Sequence, residues 1–272
     1  MVRPVGAQDN GMYNFDAIPN VDNVVIILAA IVGLCFGSFA NVVIYRLPNG
    51  GSIIWPPSHC PACEKKLLNL DLIPVISWFA LRGSCRFCKT RISLRYPAVE
   101  LVCAMLFVGT AWFMGASFSL IPLCLLAFVL LCSALMDWDT MEIPDEPLIF
   151  GAVTGVAWVT GGFFFPHIFP NSPVWSAALL GVLAGTLPLL LIDKIVVLLT
   201  SKDGFGFGDV KLMAMAGLFL GWQGVPEAFF FAFVGGGLYG AFLLLTRRAE
   251  RYSYVAFGPF LCAGVLISLW RR

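Results

Sequence analysis

Residues 24–45 read VVIILAAIVGLCFGSFANVVIY, twenty-two positions without one charged side chain. About 20 apolar residues cross the hydrocarbon core of a bilayer as a helix. The run therefore predicts a membrane span, and the rest of the chain repeats it. Further apolar stretches lie at 98–114, 118–136, 147–165, 174–200, 210–222, 227–245 and 254–270, the sixth being the shortest. Of the 272 residues, 59% are hydrophobic and 12% charged, against about a quarter charged in a soluble domain. The expected fold class is an all-α polytopic membrane protein of about eight transmembrane helices. The net charge of +1 gives no sign of a nucleic-acid partner, so the partner implied by composition is membrane lipid.

Charge placement orients the chain. Eight basic residues fall between Arg46 and Arg95; Lys194, Lys202 and Lys211 surround a glycine-rich stretch at 204–209; Arg247, Arg248 and Arg251 precede the last span. With eight spans all fourteen face one side, and only Arg3, Arg271 and Arg272 face the other. Basic residues are retained in the cytoplasm. The loop at 46–97 is therefore expected in the cytoplasm and both termini outside it. The N-terminus lacks the basic region of a signal peptide, and its first apolar run is long enough to span. The expected organisation is an outer segment 1–23, a first span 24–45, a cytoplasmic loop 46–97 and a membrane core 98–272.

The loop carries HCPACEKK and SCRFCKT, which place Cys60, Cys63, Cys85 and Cys88 as two C-x2-C turns separated by 21 residues. Such a pair of turns brings four thiolates onto one tetrahedral zinc. A reducing cytoplasm makes two disulfides the poorer reading. Four protein ligands leave no open coordination position, so the zinc is expected to be structural. His59 adjoins Cys60 as an alternative ligand, though a surface histidine is the plainer reading. Cys35, Cys103, Cys124, Cys132 and Cys262 fall in spans, where cysteine behaves as a small hydrophobe.

Carboxylates in spans are costly and mark function. Most acids here have ordinary readings: Glu100 and Asp193 lie near span ends as candidate ion-pair partners of Arg95 and Lys194, and Glu227 begins a span. Two groups remain. In DWDTMEIPD (137–145), Asp137 follows an apolar run directly. In GFGFGD (204–209), Asp209 opens the sixth span. The topology puts both at the same depth on the cytoplasmic side. Two carboxylates sharing one proton can activate water and polarise a scissile carbonyl. Gly206 and Gly208 permit backbone geometry closed to other residues. Against this stands a bland alternative, a glycine-rich turn with an acid at a helix start.

Four stretches in this order resemble the type 4 prepilin peptidases: GSFANVVIYRLP at 37–48, the cysteine loop with its tail RISLRYPAVEL, DWDTMEIPD, and GFGD followed by VKL. The resemblance covers nearly the whole chain. It implies an aspartic endopeptidase of the bacterial inner membrane with Asp137 and Asp209 as catalytic acids and Asp139 and Asp145 as accessory ones. It also implies prepilin and pseudopilin substrates of type IV pili and type II secretion. The cysteine loop matches the bifunctional members, which N-methylate the new N-terminal residue with S-adenosylmethionine. A membrane transporter and a non-enzymatic assembly factor with a structural zinc loop are the alternatives from other classes.

Overall fold

The first apolar run forms helix α1, Val21–Arg46, with Asp22 in its first turn and Arg46 in its last. Both charges complement the helix dipole. The computed structural model describes residues 21–200, 206–246 and 256–271. Beyond α1 the chain forms α2 (Ile76–Ala80), α3 (Arg95–Met114), α4 (Leu120–Thr140), α5 (Asp145–Phe164), α6 (Trp175–Thr200), α7 (Phe207–Leu245) and α8 (Gly258–Trp270). The described residues contain no strand, only the isolated bridges His59–Lys66 and Ser84–Arg91. Six of these helices are long and apolar enough to cross a membrane, and α8 is a shorter apolar helix. The chain is an all-helical, multi-pass membrane protein.

Eight spans become legible within α7. Gly221 has φ 57° and ψ 177° and interrupts its helical geometry. Position along α8 shows a reversal: Asp209 at the start of α7 is within electrostatic reach of Cys262, Gly224 meets Ser268 further along α8, and Gly236 is back beside Phe257, with the turning point at Gly221. Before it, Gly217 packs on Gly181, and Met213 on Gly185 further along α6. After it, the Ser268 hydroxyl donates to the Gly224 carbonyl at 2.9 Å, and Gly264 packs on Ala228. The chain therefore runs up against α6 and back down against α8. Residues 207–220 and 222–245 are two antiparallel helices joined at one glycine. The left-handed φ needed there costs glycine little and other residues much.

Helix α4 is the centre, with 72% of its most apolar window buried and α1, α3, α5 and α8 packed around it. Small residues set the close approaches. A Cβ on Gly33 would stand 2.7 Å from the Ala104 Cα, and one on Gly37 2.5 Å from the Glu100 Cα. The four-residue spacing puts both on one face of α1, against α3, as small-residue packing in lipid requires. Helix α4 ends where Met141 takes a left-handed conformation and donates its N–H to the Asp137 carbonyl at 2.8 Å. Asp137 thus lies in the last turn of the helix.

Candidate active site

The two C-x2-C turns have the same local build. The Cys60 N–H donates to the Lys65 carbonyl at 3.0 Å and the Glu64 N–H to the Cys60 carbonyl at 2.8 Å. The corresponding bonds in the second turn are Cys85 to Thr90 at 2.9 Å and Lys89 to Cys85 at 3.1 Å. Glu64 and Lys89, each just after the second cysteine of its turn, take positive φ of 55° and 61°. These twin turns aim the four Sγ atoms inward, all within 4.8 Å of one another. All nine cysteines are free. A tetrahedral site with Zn–S bonds of about 2.3 Å has sulfurs about 3.8 Å apart, and Cys60 Sγ and Cys88 Sγ are 3.7 Å apart. The cluster fits a zinc ion. Hydrogen bonds with Thr90, side chain first, pull the Cys88 thiol down to about 6, helped by the neighbouring thiols. The Lys65 backbone acts to lower Cys63, but burial and the Cys88 and Cys60 thiols leave it raised to about 11. His59 stays out of the cluster; its Nδ1 lies 3.1 Å from the Pro57 carbonyl.

The segment between the turns forms a turn at Asn69–Leu72 and the short α2. It is stapled to the second cysteine turn, because Arg86 donates through Nε and Nη2 to Asp71 Oδ1 at 2.9 and 2.7 Å. Trp78 donates its indole N–H to the Ile92 carbonyl at 3.2 Å. The loop's tail reaches the helices through an ion pair between Arg95 and Asp139. The expectation that Arg95 pairs with Glu100 is corrected: Arg95 turns to α4, and Glu100 accepts from the Val75 backbone instead. At the opposite end Glu227 pairs with Arg271 at 2.8 Å.

Asp137 and Asp209 are each 7% exposed. Asp137 comes from the last turn of α4 and Asp209 from the first turn of α7. They lie within electrostatic reach of each other, and both act on the buried Cys262 thiol of α8. The start of α8 completes the setting: the Gly258 N–H donates to Asp137 Oδ2 at 2.9 Å. Ser133 is on the same face of α4 one turn earlier. It is fully buried, and its hydroxyl has no hydrogen-bond partner among the described residues. The two motifs are also tied beside the acids, since Lys211 Nζ lies 2.6 Å from Asp145 Oδ1. Asp139 and Asp145 are thus engaged in ion pairs that join helices.

The glycines before Asp209 have a plainer part than expected. Gly206 sits at φ −66° and ψ 140°, a conformation any residue adopts. Gly208 is a packing glycine, where a Cβ would meet the Ile143 Cβ at 3.1 Å. Gly204 lies outside the described residues, as do Asp203, Lys202 and Arg247–Arg251.

Fold and site define a class: a helical membrane protein with two buried acids from different spans, gathered beneath a four-cysteine loop. Comparisons with known proteins agree. The family described as Bacterial Peptidase A24 N-terminal domain matches residues 31–114, and the Type IV leader peptidase family matches residues 124–241. A Pseudomonas putida protein named "Prepilin leader peptidase/N-methyltransferase" is 35% identical over 268 residues, covering 90% of each chain. A Bacillus subtilis protein of the same name is 37% identical over 243 residues, covering 88% of this chain and 91% of the relative. The chain belongs to the type IV leader peptidase family. No solved structure matches it.

Proposed function

We propose that this chain is a bifunctional prepilin leader peptidase and N-methyltransferase of the bacterial inner membrane, with Asp137 and Asp209 as its hydrolytic pair. The supporting observation is that two carboxylates from separate motifs, each 7% exposed, converge at one end of the bundle. Two carboxylates held close in a low-dielectric site share one proton. The ionised member takes a proton from water, and the protonated member hydrogen-bonds the scissile carbonyl. Attack of the water forms the C–O bond. The C–N bond then breaks as a proton passes to the leaving amine, which becomes the new N-terminus. The Gly258 N–H holds Asp137 from the side of α8, which leaves Asp137 Oδ1 free to face the water.

The substrates are prepilins and pseudopilins, whose basic leader stays in the cytoplasm while an apolar helix lies in the bilayer. The boundary between them meets the acid pair at the cytoplasmic end of the bundle, with the loop on that side and both termini outside. Cys60, Cys63, Cys85 and Cys88 hold a structural zinc that fixes the loop's shape. S-adenosylmethionine supplies the methyl group when bound. The exposed loop rings Trp55, Phe79 and Phe87 have the flat apolar faces that an adenine stacks on. The test is to incubate the purified chain with a prepilin peptide, with and without S-adenosylmethionine. Mass spectrometry should report leader loss in both cases and an added methyl only with the donor. An intact peptide would reject the hydrolytic reading.

A further inference from the structure

Three acidic residues are buried as whole residues among the described ones: Asp137, Asp209 and Glu100. The first two form the acid pair. Glu100, on α3, is 8% exposed and, among the described residues, in no ion pair. Its surroundings fix it firmly. The Gly37 backbone of α1 lies so close that a Cβ there would stand 2.5 Å from the Glu100 Cα. The Ser38 side chain lies beside the carboxylate. The carboxylate also reaches out of the bundle, where Oε2 accepts the Val75 N–H at 2.7 Å.

The residue it holds is unusual. Val75 has φ 63° and ψ −53°, and the Ile76 N–H donates to the Pro74 carbonyl at 2.6 Å. Together these define a γ-turn of the rare, strained kind, made worse by a β-branched side chain at positive φ. Such a conformation persists only where its surroundings over-determine it. The charge-assisted bond to Glu100 does so from the membrane side. Val75 is midway between Cys63 and Cys85, so a hold on this turn is a hold on the whole loop. The Arg95–Asp139 pair brings the same loop to α4 two residues beyond Asp137.

We propose that Glu100 is a positioning residue whose buried carboxylate latches the Pro74–Ile76 turn to α1 and α3, fixing the four-cysteine loop over the end of the bundle that holds Asp137 and Asp209. Its effect on activity rests on the reading that the loop serves methyl transfer; the latch itself does not.

The test uses the full chain in lipid nanodiscs and two readouts: hydrogen exchange across residues 73–81, and leader loss and methylation of a prepilin peptide scored separately. Glu100→Ala should speed exchange about tenfold or more, the factor a hydrogen bond to a charged group carries. It should cut methylation by a similar factor and leave leader cleavage within about twofold of wild type. Glu100→Gln retains an acceptor oxygen and should keep both activities, which an acid–base role for Glu100 would not allow. Val75→Pro leaves the spans untouched but removes the donor and forbids φ near 63°; it should reproduce the Glu100→Ala pattern even if that variant fails to insert. Unchanged exchange in Val75→Pro would overturn the latch. Loss of methylation in Glu100→Gln equal to that in Glu100→Ala, with exchange unchanged, would overturn the positioning role. If the wild-type chain methylates nothing, the methyl-transfer reading fails, and exchange alone still decides the latch.

Discussion

Gly258, the first residue of α8, donates its N–H to Asp137 Oδ2 at 2.9 Å across 121 positions of sequence. The last span therefore sets the orientation of an acid carried by the fourth helix. The fit is tight, since a Cβ on Gly258 would stand 2.7 Å from that same oxygen. Gly258→Ala is expected to rotate or displace the carboxylate. Leader cleavage should fall by about 10- to 100-fold, as displacement of a reacting group by about 1 Å does, while expression and insertion are retained. Cleavage within twofold of wild type would show that Asp137 tolerates the shift.

Lys211 and Asp145 join the two acid motifs directly at 2.6 Å. Their side chains are 36% and 56% exposed, and exposed pairs contribute at most about 1 kcal/mol. Single alanine substitutions should therefore lower thermal stability only slightly and slow cleavage less than fivefold, by the same energy scale. The exchanged pair Lys211→Asp with Asp145→Lys should recover most of the loss. A complete loss in Asp145→Ala that the exchange fails to rescue would assign Asp145 a part in the chemistry.

The cysteine cluster predicts one zinc per chain, measurable by metal analysis of the purified protein. Cys60→Ser should lose the metal and loosen the loop. Methylation should fall before leader cleavage does, because the acid pair is carried by other helices. Equal loss of both activities would reverse that order.

The staple between Asp71 and Arg86 has a signature in acid. The Arg86 guanidinium, with a smaller contribution from the Leu68 N–H, holds the Asp71 carboxyl below the usual carboxylate range. A depressed carboxyl contributes stability that is complete above its unfolded value, about 4, and lost as pH falls through the depressed folded value. Hydrogen exchange in residues 68–72 should therefore differ between wild type and Asp71→Asn at neutral pH, and the difference should vanish in strong acid. A difference that persists there would mean the staple is held by packing.

Much of this was legible in the sequence because lipid imposes simple rules. An uncharged run of 22 residues has few other fates, and cysteine pairs at C-x2-C spacing have few other uses. Topology placed Asp137 and Asp209 at one end of the bundle, which permits their approach without requiring it. What stayed hidden depended on packing between distant segments. Nothing local marks Gly258 as a donor to Asp137 beyond the Pro259 that starts its helix. Glu100 lies near Arg95 in sequence, yet the helix and the loop draw them to different partners. Gly206 and Gly208 suggested a special backbone before Asp209, but one is ordinary and the other makes room for Ile143. The sequence predicts a break between spans at 223–226, whereas the reversal is made by a single residue slightly earlier, Gly221.

The most direct measurement is prepilin cleavage by Asp137→Asn and Asp209→Asn, each inserted in membrane to wild-type level. An amide cannot accept the proton from water or share one with its neighbour, so each variant alone should reduce leader removal by several orders of magnitude, as loss of a member of a catalytic unit does. Near-normal processing by either one would contradict the acid pair.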